Sequence, residues 1–412
     1  MLFSNIAIIL IIGDLIPLSS DTIVFLIQMS LLTAGLASLL QVYPVWKIGS
    51  RLPLMMGTSV IFISAIVIIG QKYGLSGVFG SILIASLIEI VLAFSMKHIR
   101  KIITPLVNGI VIMSIGVSLF MLALRYNIAT IEQTDFSLFS VLIVTLLVVA
   151  VTYIILLKST SKLKVYAFLV SILFGIIISG LFGMIDITQY SSTSVLMIPS
   201  PLKYGLSFPI EGIILFTILF IVSGLETIAD TTALTTGVYN RDPEDSEYQG
   251  ALLADGTSSF LSSIVSGFPK TTYTQNVGII ISTKESDKWG IVIASALLIL
   301  LSFFPPFGSL FIMIPKPVVS GFFLSISFII ISNGFNLLKP HFNRKTYIIF
   351  GITILLALFL YNLTDIIGTK YSSSLFVDSI EKNAILLSGM LSLLLEQTTI
   401  IYSKIKNKIK RP

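Results

Sequence analysis

Apolar runs long enough to cross a bilayer recur from one end of this 412-residue chain to the other. A helical crossing needs about 20 apolar residues, and backbone at that depth must find its hydrogen bonds inside the protein. A short run covers residues 5–12. The rest lie at about 22–42, 53–69, 75–95, 103–124, 138–157, 165–185, 209–237, 250–267, 273–283, 289–312, 317–335, 346–367 and 383–403. They read as thirteen spans or half-spans behind a truncated first one. Only 11% of the residues are charged, against roughly 25% in a soluble domain, so soluble enzymes, secreted scaffolds and nucleic-acid binders are excluded. Cysteine is absent, which removes disulfides and thiolate metal sites, and both histidines, His98 and His341, fall in charged loops. No basic stretch precedes the first apolar run, so no cleavable leader is expected.

Charge gives the orientation. With fourteen segments and a cytoplasmic N-terminus, 19 of the 26 Lys and Arg residues face the cytoplasm and 7 face outward, Lys270 counted among the outer ones. That bias is what the positive-inside rule expects. The C-terminal KIKNKIKRP then reads as a cytoplasmic anchor near anionic lipid rather than a nucleic-acid contact. The chain is expected to be a multi-pass protein of the plasma membrane.

Two segments, 53–69 and 273–283, are short and follow proline and polar residues. Short or broken spans at matching places in two halves point to a secondary-transporter site. SRLPLMMGTSV at 50–60 parallels SGFPKTTYTQN at 266–276, and TPLVNG at 104–109 parallels KPVVSG at 316–321. Similar spacing between the paired prolines, Pro53 to Pro105 and Pro269 to Pro317, suggests an internal repeat of about seven segments. An odd number of segments makes the second half inverted. The expected units are residues 1–185, residues 209–403 and a basic tail at 404–412.

Carboxylates inside a membrane cost about 2.5–3.5 kcal/mol or more each, so they face a cavity or a partner. Five qualify: Glu89, Glu226, Asp230, Asp255 and Glu396. Glu226 and Asp230, four residues apart in GLETIADTTALTT, share one helix face. Asp230 also suits a polar helix end, and Asp255 in LLADG suits a helix entry. Glu89 and Glu396 stand singly in long apolar helices, where interhelical hydrogen bonds or protonated packing are expected. In GFPKTTYTQNVGIIISTK (267–284), an extended piece before a half-helix would leave free N–H groups and the positive end of a helix dipole at membrane depth. Gln275 adds a carboxamide, one donor face beside one acceptor, complementary to a nucleobase edge. A polar hinge without a ligand is the other reading of this stretch.

Taken together, these motifs resemble the nucleobase–ascorbate transporters, also called the nucleobase:cation symporter-2 or xanthine/uracil permease family. The family signature appears as QNVGIIISTK, with Gln275, Asn276, Gly278, Thr283 and Lys284 at its fixed positions. GSRLPLMMGTS, GLETIAD, LLADG and KPVVSG extend the resemblance almost end to end. It implies an all-α polytopic fold of fourteen segments in inverted seven-segment repeats, with core and gate domains, short strands at the half-helices of segments 3 and 10, and usually a homodimer. It also implies that Glu226 and Gln275 hold the base, with Asn276 as motif neighbour and backbone near Ser59, Val60 and Thr274 in contact. Asp255 would support the site and Asp230 would stand in a position of open role. Val60 replaces the phenylalanine of many members, and the Gln-His motif of segment 1 is missing, as though the true start lay upstream. The implied activity is import of a nucleobase by proton symport, with no other cofactor. Gln at 275 favours purines such as xanthine or urate over uracil. No nucleophile–base pair, metal-ligand cluster or phosphate loop is visible, so catalysis is not expected. An anion exchanger or channel of the same architecture, or a non-transporting homologue, remain the alternatives.

Overall fold

A computed structural model of the chain describes residues 2–96, 104–158, 164, 166–186, 194–283, 286–339, 347–353, 355, 391–392 and 394–398. Its helices are α1 (Leu2–Leu15), α2 (Ser20–Val42), α3 (Ile63–Ala85), α4 (Leu87–Phe94), α5 (Pro105–Gln133), α6 (Leu138–Lys158), α7 (Ala167–Leu181), α8 (Ile210–Tyr239), α9 (Asp245–Ile264), α10 (Thr274–Thr283), α11 (Lys288–Ser302), α12 (Pro305–Ile312) and α13 (Lys316–Leu338). Two three-residue strands, β1 (Met56–Thr58) and β2 (Lys270–Thr272), complete the fold. Among the described residues six helices are long and apolar enough to cross a membrane, or seven if the bent pair α11–α12 counts as one. Most of segments 346–367 and 383–403, the 404–412 tail, His98 and His341 lie outside the described residues.

Helix starts follow from local chemistry. The Ser19 hydroxyl accepts the Thr22 N–H at the start of α2, and Thr104 accepts Val107 N–H ahead of a first-turn proline in α5. Asp287 caps α11 through Trp289 N–H. At α9, Glu244 and Glu247 form a reciprocal capping box, and Arg241 grips the Glu247 carboxylate with both of its terminal nitrogens. Partial burial pushes the Glu247 carboxyl upward, but the Arg241 bonds and the Glu244 N–H outweigh it and hold the group below the usual range.

Two expectations need correction and one is met. The 289–312 run is two helices that meet at 92°, because Pro305 and Pro306 cannot continue α11. The expected break between segments 53–69 and 75–95 is present inside α3, at Gly74, whose φ of 69° suits glycine. Lys270 is not an outer-loop residue: it is fully buried in β2. Its charge therefore leaves the outward tally and enters the interior.

Packing sorts the described helices into two sets. One gathers α1–α4 with α8, α9, α11 and α12 around the strand pair, and the other stacks α5, α6, α7 and α13. Contacts of α8 with α5, and of α10 with α13, join them. The signature glycine explains the second junction, since a Cβ at Gly278 would lie 2.6 Å from Asn333 Nδ2 of α13.

Candidate functional site

The site is built on β1 and β2. They pair antiparallel, with Met56 opposite Thr272, Gly57 opposite Thr271 and Thr58 opposite Lys270. A residue with left-handed backbone precedes the proline on each approach, Arg51 (φ 65°) before Pro53 and Ser266 (φ 63°) before Pro269. Each strand then runs into a helix: β1 through the single turn Val60–Phe62 into α3, and β2 into α10. Both helices therefore start at the buried strand pair, with Ile61 N–H on the Ser59 hydroxyl and Asn276 N–H on Tyr273 O, where backbone is tolerated only against protein or a cavity.

Around this joint stand three of the expected carboxylates. Glu226 Oε1 accepts the Thr274 hydroxyl at 3.2 Å, and Asp230 Oδ2 accepts that of Thr272 at 2.8 Å. Asp255 Oδ2 takes the hydroxyls of Thr227 and Thr271. All three are buried, and Glu226 Oε2, Asp230 Oδ1 and Asp255 Oδ1 have no hydrogen-bond partner among the described residues. The threonine run of α8 satisfies itself: Thr231, Thr232, Thr235 and Thr236 each donate to the carbonyl four residues back. This i−4 bonding is how a hydroxyl-rich helix lies at membrane depth.

Gln275 is half-buried on the first turn of α10, and its carboxamide makes no hydrogen bond among the described residues. Asn276 turns the other way and donates to Pro53 O at 3.2 Å, tying the second proline loop to the first. Ser59 caps the turn after β1 through Ile61 N–H and lies beside Glu226; Val60 is half-buried next to it. The Thr283 side chain and Lys284 are outside the described residues. Glu396 accepts the Thr104 hydroxyl, the interhelical bond expected of it. Both oxygens of Glu89 are buried without a hydrogen-bond partner of good geometry among the described residues, with the Ser223 hydroxyl of α8 close by.

Three residues of this region were not legible as site residues. Lys270 Nζ donates to Thr58 Oγ1 at 2.9 Å and Ser30 Oγ at 3.1 Å, and no carboxylate pairs with it among the described residues. Asn5 Oδ1 accepts Thr58 N–H at 2.9 Å, and the Tyr273 hydroxyl donates to Thr58 O at 3.1 Å. Only cross-strand register would have revealed them, because Thr58 is their common partner. A cavity of about 670 Å³ opens elsewhere, lined by Asp14, Tyr126, Asp186 and Lys316 among others, and includes neither Glu226 nor Gln275. Its residues carry no donor–acceptor pair of the Glu226–Gln275 kind, so the strand joint is the better candidate site.

Residues 1–366 match the sequence model of the xanthine/uracil permeases, described as a permease family. Nucleobase transporter PlUacP of Paenibacillus larvae is 28% identical over 332 residues, 80% of this chain and 76% of that protein. Xanthine permease XanQ of Escherichia coli is 29% identical over 328 residues, covering 76% of this chain and 70% of that one. Among solved structures, the transmembrane domain of the cyanobacterial bicarbonate transporter BicA superposes with a TM-score of 0.59 over 96% of this chain and 94% of that one, at 14% identity. That likeness concerns the fold alone.

Proposed function

Because the chain belongs to the xanthine/uracil permease family, we propose that it imports a nucleobase, a purine such as xanthine or urate rather than uracil, by proton symport. The observation that supports this reading is the Glu226 oxygen left without a partner among the described residues, on a side chain bonded through Thr274 to the start of α10, where the next residue, Gln275, makes no hydrogen bond among them either. A donor–acceptor pair of this kind matches the edge of a lactam or imide ring. Two or three hydrogen bonds of about 0.5–1.5 kcal/mol each select a base yet let it leave.

In this reading Glu226 takes a proton from outside and then binds the base together with Gln275. Ser59, Val60 and Thr274 line the space, while Asp255 holds Thr227 and Thr271 in place. Asp230 fixes Thr272 and so sets the height of the strand joint. The two helix sets act as core and gate, and their relative movement exposes the site to each side in turn. Ligand and proton need only stabilise the two states differently. The protein would work as a homodimer in the plasma membrane, its C-terminus in the cytoplasm.

The test is uptake of radiolabelled xanthine, urate, uracil and ascorbate by cells lacking their own nucleobase permeases. One purine should accumulate, and Gln275→Ala and Glu226→Gln should each abolish that accumulation while the protein still reaches the membrane. Uptake that survives Glu226→Gln and ignores pH would replace symport with anion exchange or a channel.

A further inference from the structure

Glu89 is the one buried carboxylate of this region that the reading above leaves without work. It sits on α4, which packs against α9 and α8. Two glycines admit α4 there. A Cβ at Gly256, beside Asp255, would lie 2.9 Å from the Ile90 side chain and 3.1 Å from Ser86 O; a Cβ at Gly224 would touch Leu92. Glu89 is thereby brought up to the back of the site. Asp255 on α9 and Glu226 on α8 are the charges that reach it, and the Ser223 hydroxyl of α8 lies close to it. Helix α3, which also touches α4, brings no charged group to it.

Five buried oxygens in this cluster have no partner among the described residues: both of Glu89, one each of Glu226 and Asp255, and the hydroxyl of Ser223. Buried polar atoms are rarely left so, and a group of them calls for a reason. Like charges close together in a low-dielectric region disfavour full ionisation and couple their titrations, which is the condition for passing a proton among such groups.

We propose that Glu89 is a second proton-carrying residue of the transport cycle, receiving from Glu226, by way of Asp255, the proton that accompanies the base. When the O–H of Glu226 gives up its proton, Glu226 becomes the carboxylate and Glu89 the acid, so the charge of the cluster is unchanged. The proton then stands on α4, roughly 8 Å along the helix from its end at Phe94, and leaves toward that end. This rests on the proton-symport reading.

The experiment uses the full chain in proteoliposomes with radiolabelled xanthine, and the other three bases if xanthine is not carried. Two modes are measured: accumulation driven by a pH gradient, and base-for-base counterflow, which needs no net proton movement. Glu89→Gln should lower driven accumulation at least about tenfold, keep counterflow within about threefold of wild type and flatten the pH profile of uptake. Glu89→Asp should restore part of the accumulation. Unchanged accumulation in Glu89→Gln overturns the proposal, as does equal loss of both modes from a protein that still inserts. If the wild type carries none of the four bases, the transport reading falls and takes this inference with it. If it carries a base without proton flux, only the proton assignments fall.

Discussion

Replacing Lys270 by methionine tests what a buried lysine does in the strand joint. Its amine donates to Ser30 and Thr58 and to no carboxylate among the described residues. If protonated, the group has lost several kcal/mol of hydration. Two hydrogen bonds from a charged donor return about 1.5–3 kcal/mol each, together about 3–6 kcal/mol. The two terms nearly cancel. Methionine retains the length of the stem, and Ser30 and Thr58 remain bonded to each other at 2.7 Å, so neither hydroxyl is orphaned. Lys270→Met should therefore change stability by less than about 1.5 kcal/mol, as volume-conserving swaps do. Lys270→Ala also removes the stem and opens a cavity, at a cost of about 2–5 kcal/mol. Thermal unfolding of the detergent-solubilised protein, followed by size-exclusion profile, should leave the methionine variant within about 3 °C of wild type and the alanine variant clearly lower. A methionine variant that melts as low as alanine would refute the reasoning, because the charge and not the packing would then be holding the joint.

Two further outcomes are expected. A Cβ at Gly57 would run into the Tyr273 ring and lie 2.7 Å from Asn5 Oδ1. Gly57→Ala should break both bonds to Thr58, about 0.5–1.5 kcal/mol each, with an overpacking cost of about 1–3 kcal/mol, and lower uptake per inserted molecule at least tenfold; wild-type uptake would disprove it. Glu247 has its folded pKa lowered, so its contribution is present above the unfolded value and lost as pH falls through the lowered one. Hydrogen exchange at residues 244–248 should thus stay slow at neutral pH and rise only in acid, and Arg241→Ala should move the onset to higher pH.

How much of this was legible depended on the kind of signal. Long apolar runs located the helices, and proline before a hydroxyl-rich stretch marked the entries to both short helices, since those features act within a few residues; the strands there were implied only by the family resemblance. The carboxylates Glu226, Asp230 and Asp255 stood out because charge is rare in such sequence, and the fold brings them together. Lys270 was misplaced because a hydropathy reading assigns any lysine between two apolar runs to a loop. Its true surroundings depend on pairing with Thr58, 212 residues away. Asn5 and Tyr273 escaped for the same reason. For Glu89 the sequence left two readings open, an interhelical bond or protonated packing, because it does not say which neighbour α4 meets. The bend at Pro305 was visible in the residues but hidden inside an apolar run.

The pairing of β1 with β2 also bears on how the protein is made. Its two strands leave the ribosome more than two hundred residues apart, about 10–40 s at ordinary rates of synthesis. During that interval β1 has entered the insertion machinery with backbone groups that lipid cannot satisfy. The first half must therefore wait, held at the translocon or in contact with water, until residues 270–272 arrive. A chain that stops before them carries an open strand edge inside the membrane, which is a mark that quality-control proteases can read. The short ladder that positions the site is in this sense a checkpoint on completion of the polypeptide.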